Sequence, residues 1–345
     1  MEKLAALSKA GASIVFLNKL PDKHSGYNPS QESTVLLEEI KQQIRGGSLS
    51  NLKVIDLDKL SDQLVTWGNK REELALHDLD FIRKKDDSGC AYFISNFNSG
   101  KDINNYIPIA TDSKEYILYN PMTGEKGKAA VKKVGDMNTV LLQLKQGQSI
   151  FLFAKSIKSN LTDWKYIGQR INKIRLSGNW NLEFMEGGPT LSKSTRINKL
   201  VSWTELPDTM APYFSGLARY SINFSLEDFD PNNKYMIIFD KVKESVLIRL
   251  NGQQVTTLFS HPFEADISNF LKNGENHIEL EVANLPANRI RYLDKQQVEW
   301  QKFYNINYIS IKGSKFNASK WEPIESGLIG DVTIVCYQIN QQNDK

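Results

Sequence analysis

The run VLIRLNGQQVTTLF, residues 246–259, decides the fold. Two stretches rich in aliphatic and β-branched residues flank Asn251-Gly252. A type I′ turn needs positive φ at both central residues, and Asn-Gly satisfies it, so the run predicts a two-residue β-hairpin. Outward on one side, Ile222, Phe224 and Leu226 alternate with polar residues, as a half-buried strand requires. On the other side Ile278, Leu280 and Val282 alternate with His277, Glu279 and Glu281. Residues 203–289 therefore read as short strands separated by turn signals, without intervening helices, and predict an antiparallel β-sandwich. Gly216 inside this β context predicts a bulge or a close approach of two backbones.

The rest of the chain must be built onto that sandwich. Its 345 residues suffice for two or three domains with real cores. The 43 basic and 40 acidic residues leave a formal net charge of +3, which gives no footprint for nucleic acid or for an anionic membrane surface. No apolar run approaches the ~20 residues of a membrane span, and residues 1–4 lack the n-region and h-region of a signal peptide. Cys90 and Cys336 lie in or beside strands and read as buried free thiols rather than a disulfide.

Residues 1–78 follow an α/β pattern. A helix carrying Leu4 and Leu7 ends at Gly11, and residues 13–17 form an apolar, buried-type strand. Pro21, Gly26 and Pro29 mark a loop. Residues 33–45 are helical, with Val35, Leu36, Ile40 and Ile44 on one side and Gly46-Gly47 as the stop. Residues 53–57 read as a second strand and residues 60–67 as a helix closed by Gly68. Two strands cannot pair and cover a parallel sheet by themselves, and the first helix has no N-cap before it. The expectation is the tail of a larger α/β domain, the alternative a small cap on the β domains.

From Leu79 the period changes to that of strands. Residues 79–83 lead into the charged turn Lys84-Lys85-Asp86-Asp87. Strands follow at 91–96, 106–109, 115–119, 139–144 and 149–154, with Asn120-Pro121-Met122-Thr123-Gly124 as a tight turn. Residues 79–158 thus read as a small β-sandwich domain. Residues 159–172 are a connector, whose Trp164, Tyr166 and Ile167 imply that it packs down. The main sandwich spans 173–338, and 339–345 is a polar tail. Within the sandwich, residues 286–307 read as irregular.

Glu183, Glu186, Glu205, Asp240, Glu322 and Glu325 sit in loops or at strand ends, but solvated faces and turn caps account for each. No Gly-x-Ser-x-Gly elbow or Cys-x-x-Cys spacing is present, and His24, His77, His261 and His277 are scattered. Sugar sites combine aromatic faces with a few directional polar groups. Tyr213, Arg289, Trp300 and Trp321 lie in or beside irregular stretches and are the candidate carbohydrate-binding residues, whereas Trp180 and Trp203 read as core. No catalytic residue and no cofactor is assigned. A calcium ion held by carboxylate and backbone oxygens is compatible with such a sandwich, without a position singled out.

Several short motifs recur in a telling order: Gly178-x-Trp180, Ser202-Trp203, Tyr213-Phe214-Ser215-Gly216-x-Ala218-x-Tyr220, Leu250-Asn251-Gly252, Leu271-Lys272-x-Gly274-x-Asn276, Ala283-Asn284-x-x-x-Asn288-Arg289 and Ser326-Gly327-Leu328-x-Gly330. Together they resemble the sugar-binding, galactose-binding-like jelly roll of glycoside hydrolase family 2 and its relatives. Residues 1–80, with Gly11-Ala12-x-Ile14 and Leu20-Pro21, and residues 91–124, with Tyr92-Phe93-Ile94-Ser95-Asn96 and Tyr119-Asn120-Pro121-x-Thr123-Gly124, extend the likeness. The whole resembles the C-terminal half of bacterial family 106-type α-L-rhamnosidases. After Asn288-Arg289 this chain has Ile290-Arg291-Tyr292-Leu293-Asp294 in place of the more usual Leu-Ile-Gly-Asp.

The resemblance implies a mainly β chain: a truncated α/β segment, a small antiparallel β domain, then the jelly roll. It implies a non-catalytic region of a glycosidase acting on plant or microbial polysaccharide, bracing an N-terminal catalytic barrel that this sequence lacks and touching carbohydrate. The parent would be an exported, periplasmic or secreted enzyme. A stand-alone carbohydrate-binding module and a structural protein without its barrel are the alternatives.

Overall fold

The computed structural model describes residues 1–23, 30–302, 313 and 315–340. Gly26, Pro29, His24 and the end of the polar tail lie outside the described residues. The fold is mainly β: several antiparallel sheets, none closed into a barrel. Two compact units are present, one of residues 1–73 with 109–111, the other of residues 74–108 with 112–345.

In the first unit, strands Ile14–Leu17 and Leu52–Ile55 pair in parallel, with helices Glu2–Lys9, Gln31–Arg45 and Leu60–Thr66 around them. Ser30 caps the long helix by accepting from the Ser33 N–H (3.1 Å). That helix ends in a Schellman motif: Ser48 N–H bonds the Gln43 carbonyl and Gly47 N–H the Ile44 carbonyl, with Gly47 at φ 75°. Its buried side is Leu37, Ile40, Lys41 and Ile44, not the side that starts at Val35. Val35 and Leu36 face solvent at 52% and 39% exposure. Counting from Leu37 gives the i, i+3, i+4, i+7 stripe, with Lys41 laying its stem into it and reaching Glu38 (2.6 Å). Strand Ile14–Leu17 is only part-buried, because the small core of Ala5, Ile40, Ile44, Leu49 and Leu52 covers little of it.

In the second unit, the small β part consists of a five-stranded sheet, with Gly89–Ser95, Ser149–Lys155 and Glu115–Tyr119 at its centre, and a three-stranded sheet containing Met137–Leu144. The charged run predicted as a turn is instead the end of strand Asp80–Asp86, an exposed sheet edge where lysines are well tolerated.

The main sandwich sets a six-stranded antiparallel sheet over a four-stranded one. Leu182, Tyr220, Ile248 and Leu280 from the first meet Ile237, Phe239, Val332 and Ile334 from the second in one core. The hairpin is as predicted: Ser245–Leu250 pairs with Gln253–Leu258 across Asn251 (φ 52°) and Gly252 (φ 79°). Gly216 and Gly187 do approach closely, for a Cβ at 216 would stand 2.0 Å from the Glu186 carbonyl oxygen. Both cysteines are buried and free. The second half of the predicted connector is strand, Tyr166–Arg175, at the edge of the four-stranded sheet. Its Tyr166 hydroxyl accepts from Ala130 N–H (3.0 Å) and donates to the Leu141 carbonyl (3.0 Å). Gln143 closes both a donor and an acceptor bond with the Ile167 backbone (2.8 Å each).

Tyr220 sits wholly buried in the core, receiving bonds from Trp203 Nε1 and Leu328 N–H. Burial pushes its phenol up to about 12, with those bonds opposing. An unfolded tyrosine ionises near pH ~10. Between pH 10 and 12 the unfolded chain therefore binds fewer protons, and stability falls as pH rises through that window. Denaturant melts followed by circular dichroism at pH 8, 10 and 11 should show this decline, less steep in Tyr220→Phe.

Candidate functional site

The motifs converge on one end of the sandwich, where strand Gly274–Ala283 gives way to helix Ala287–Lys295. Asn284 ties this exit down. Its Oδ1 accepts from Gly216 N–H (3.0 Å), and its Nδ2 donates to the Phe214 carbonyl (2.9 Å) and to Ser326 Oγ (3.1 Å). Asn288, buried in the first turn of the helix, accepts from Ile324 N–H (2.9 Å) and donates to the Ile324 carbonyl (2.7 Å). Ser202 Oγ accepts from Ser326 N–H (3.1 Å), and Trp203 N–H donates to the Ser326 carbonyl (2.9 Å). Gly327, at φ 89°, leaves room that a Cβ would take from the Trp203 and Tyr220 rings. The asparagines, serines and glycines of the motifs are thus a frame that satisfies backbone groups. They position the helix rather than present chemistry.

The helix displaces the irregular segment predicted there, and it presents two roughly opposite faces, residues 289 and 292 against 291 and 294, ~160° apart at 100° per residue. On the first face the Arg289 guanidinium lies over the Tyr292 ring, 5.6 Å from its centroid. Tyr292 packs on Tyr213, centroids 4.6 Å apart and planes at 36°. Tyr213 is held by the single turn Ala211–Tyr213, whose start is capped by Asp208 accepting from Met210 N–H (2.7 Å) and Ala211 N–H (2.8 Å). Burial pushes the Asp208 carboxyl up, but these bonds outweigh it and hold the group below the usual carboxylate range.

On the second face Arg291 Nε donates to the Trp321 carbonyl. Asp294 accepts from Trp300 Nε1 (2.7 Å) and from Ala318 N–H (2.6 Å). Phe316 meets Trp300 (6.3 Å) and Trp321 (5.4 Å), both edge-on. Trp300 is half-buried with its N–H engaged, while Trp321 is 43% exposed.

The four residues predicted to bind carbohydrate therefore fall into two pairs about one helix: Tyr213 with Arg289 through Tyr292, and Trp300 with Trp321 through Phe316. They do not share a face. Sequence reasoning missed Tyr292, Asp294 and Phe316. The i, i+3 spacing of Arg289 and Tyr292 would have revealed the first, had the segment been read as helix.

The scattered carboxylates are turn-capping, ion-paired or exposed. Asp240 accepts from Asp331 N–H (2.8 Å), a turn cap. Glu325 is bonded to Lys241 (2.9 Å), which holds its carboxyl below the usual range, the wrong direction for a general acid. Glu183, Glu186, Glu205 and Glu322 are exposed. Among the described residues no group of three or more His, Cys, Asp or Glu side chains is arranged to hold a metal ion, so the calcium compatible with the sandwich finds no carboxylate cage there.

No family model matches the chain. A rhamnosidase from Novosphingobium sp. PP1Y shares its fold over 97% of this chain, with a TM-score of 0.72 and 22% sequence identity. The likeness is one of fold, to a glycoside hydrolase. In sequence, 131 residues are 34% identical to a protein of Formosa agariphila provisionally named beta-glucuronidase, covering 37% of this chain. An uncultured Clostridium sp. beta-glucuronidase aligns over 51% of the chain at a TM-score of 0.34, too distant to argue from. The chain spans about a third of the rhamnosidase (32%) and about a tenth of the Formosa protein (11%).

Proposed function

We propose that this chain is the non-catalytic C-terminal region of a larger glycoside hydrolase of the family 106 α-L-rhamnosidase type. Its galactose-binding-like sandwich contacts polysaccharide while the first unit braces a catalytic barrel. The observation that carries this reading is the rhamnosidase fold followed over 97% of the chain but only 32% of the enzyme. The first unit supports it. Among its described residues eight large apolar side chains stand exposed, Leu57 (63%), Val65 (61%) and Val35 (52%) foremost, against seven apolar residues buried. Exposed apolar surface in excess of core marks an interaction face. In the parent enzyme the region would travel with it to the periplasm or outside the cell.

The alternative, a carbohydrate-binding module acting by itself, draws support from the open Tyr213, Arg289 and Tyr292 face. Hydrolysis of p-nitrophenyl α-L-rhamnoside separates the two. The accessory reading expects turnover only in the longest polypeptide that the gene encodes, and none in residues 1–345. Turnover by residues 1–345 alone would overturn it. Inactivity of both, with sugar binding retained, would favour the module.

A further inference from the structure

Among the described residues three side-chain polar atoms are buried without a hydrogen-bond partner: Ser8 Oγ, Ser192 Oγ and Arg289 Nη1. Only the last belongs to a charged group. Among the described residues Arg289 has no ion-pair partner and neither Nε nor Nη2 has an acceptor, although both escape full burial and the residue stays part-exposed. Its contact with Tyr292 uses the ring's π face and spends none of its N–H donors. A guanidinium partly withdrawn from water and given no acceptor needs an explanation. Gly188 lies beside one edge of the fork, where even a Cβ would make only ordinary van der Waals contact with Arg289 Nε (4.0 Å). Next to it, the paired rings of Tyr213 and Tyr292 offer an apolar surface.

We propose that this face takes an acidic sugar residue, its carboxylate or sulfate on the Arg289 fork and an apolar ring face on Tyr213 and Tyr292. The inference rests on the carbohydrate-binding reading above and narrows it. The guanidinium's planar fork matches such oxyanions bidentately, which an ammonium cannot do. A neutral sugar would leave the cation unpaired.

The test is a titration of the full chain with methyl glucuronide, glucose 6-sulfate and methyl glucoside. The side-chain Nε–H resonance of Arg289 is followed by NMR and assigned by its loss in Arg289→Lys. The expected result is saturable movement with one or both acidic sugars and binding at least about tenfold weaker for the glucoside, a preference that Arg289→Lys erases when the same three ligands are titrated into it by calorimetry. Tyr292→Leu should weaken all ligands alike. A response to sulfate alone, or to the uronate alone, supports the proposal and names the anion. Equal binding of the glucoside, still lost in Tyr292→Leu, overturns the acidic ligand and leaves the carbohydrate reading standing. No response to any of the three overturns both. A large loss of thermal stability in Arg289→Met would also overturn the proposal, since it would assign Arg289 to the frame.

Discussion

Trp203→Ala is expected to destabilise the second unit by about 3–5 kcal/mol, the usual cost of removing a buried indole from a packed core. The ring is fully buried and meets Phe184 (5.4 Å) and Phe214 (5.7 Å) edge-on. Its N–H donates to Tyr220, whose hydroxyl also receives Leu328 N–H (3.2 Å). Truncation would empty a cavity between the two sheets and unfasten the strand that begins at Gly327. Urea unfolding followed by far-ultraviolet circular dichroism should show a lowered midpoint with an unchanged slope. An unshifted midpoint would mean that the indole is not part of the sandwich core.

Asn284→Ala is expected to cost about 3 kcal/mol, because it leaves the Gly216 N–H and the Phe214 carbonyl without their partner. Its effect is local as well as global. Asn284 stands between the last strand residue, Ala283, and the helix Ala287–Lys295, so its loss should loosen the helix that carries Arg289 and Tyr292. Hydrogen exchange resolves this. Amides of residues 290–296 should lose protection more than those of Ile278, Leu280 and Val282. Uniform loss along both segments would assign Asn284 to global stability alone. Asn284→Asp, which keeps the acceptor and removes the donor, should fall between.

These effects explain which parts of the fold were readable. The hairpin at 251–252 was legible because its turn chemistry is local: two residues set the conformation and their neighbours set the register. Helix Ala287–Lys295 was not, because what stabilises it is distant in sequence. It has no side-chain N-cap. Asn288 finds its partner at Ile324, and Asp294 finds one at Ala318. Strand Tyr166–Arg175 hid for another reason. Register shifts between Ile167 and Arg170 and between Arg170 and Asn172 break the period-two pattern on which strand reading depends. Val131–Val134, exposed along its length and carrying two lysines, has no apolar alternation to find. At the candidate site, Arg289 and Tyr213 were visible as types suited to sugar. Their meeting through Tyr292, and the separation of Trp300 and Trp321 onto the other face of the helix, depended on a helix that composition did not announce.

The edge strand Tyr166–Arg175 also governs how the protein can be cut for laboratory work. It shields one side of the fourteen-residue strand Gly327–Asn340, and through Gln143 and Tyr166 it is stitched into the small β part as well. A recombinant sandwich begun at residue 173 would discard most of that strand and bare a long ladder of unpaired amides and carbonyls, a template for intermolecular pairing. Insoluble expression of such a fragment would report the position of the cut, not an inability of the sandwich sequence to fold.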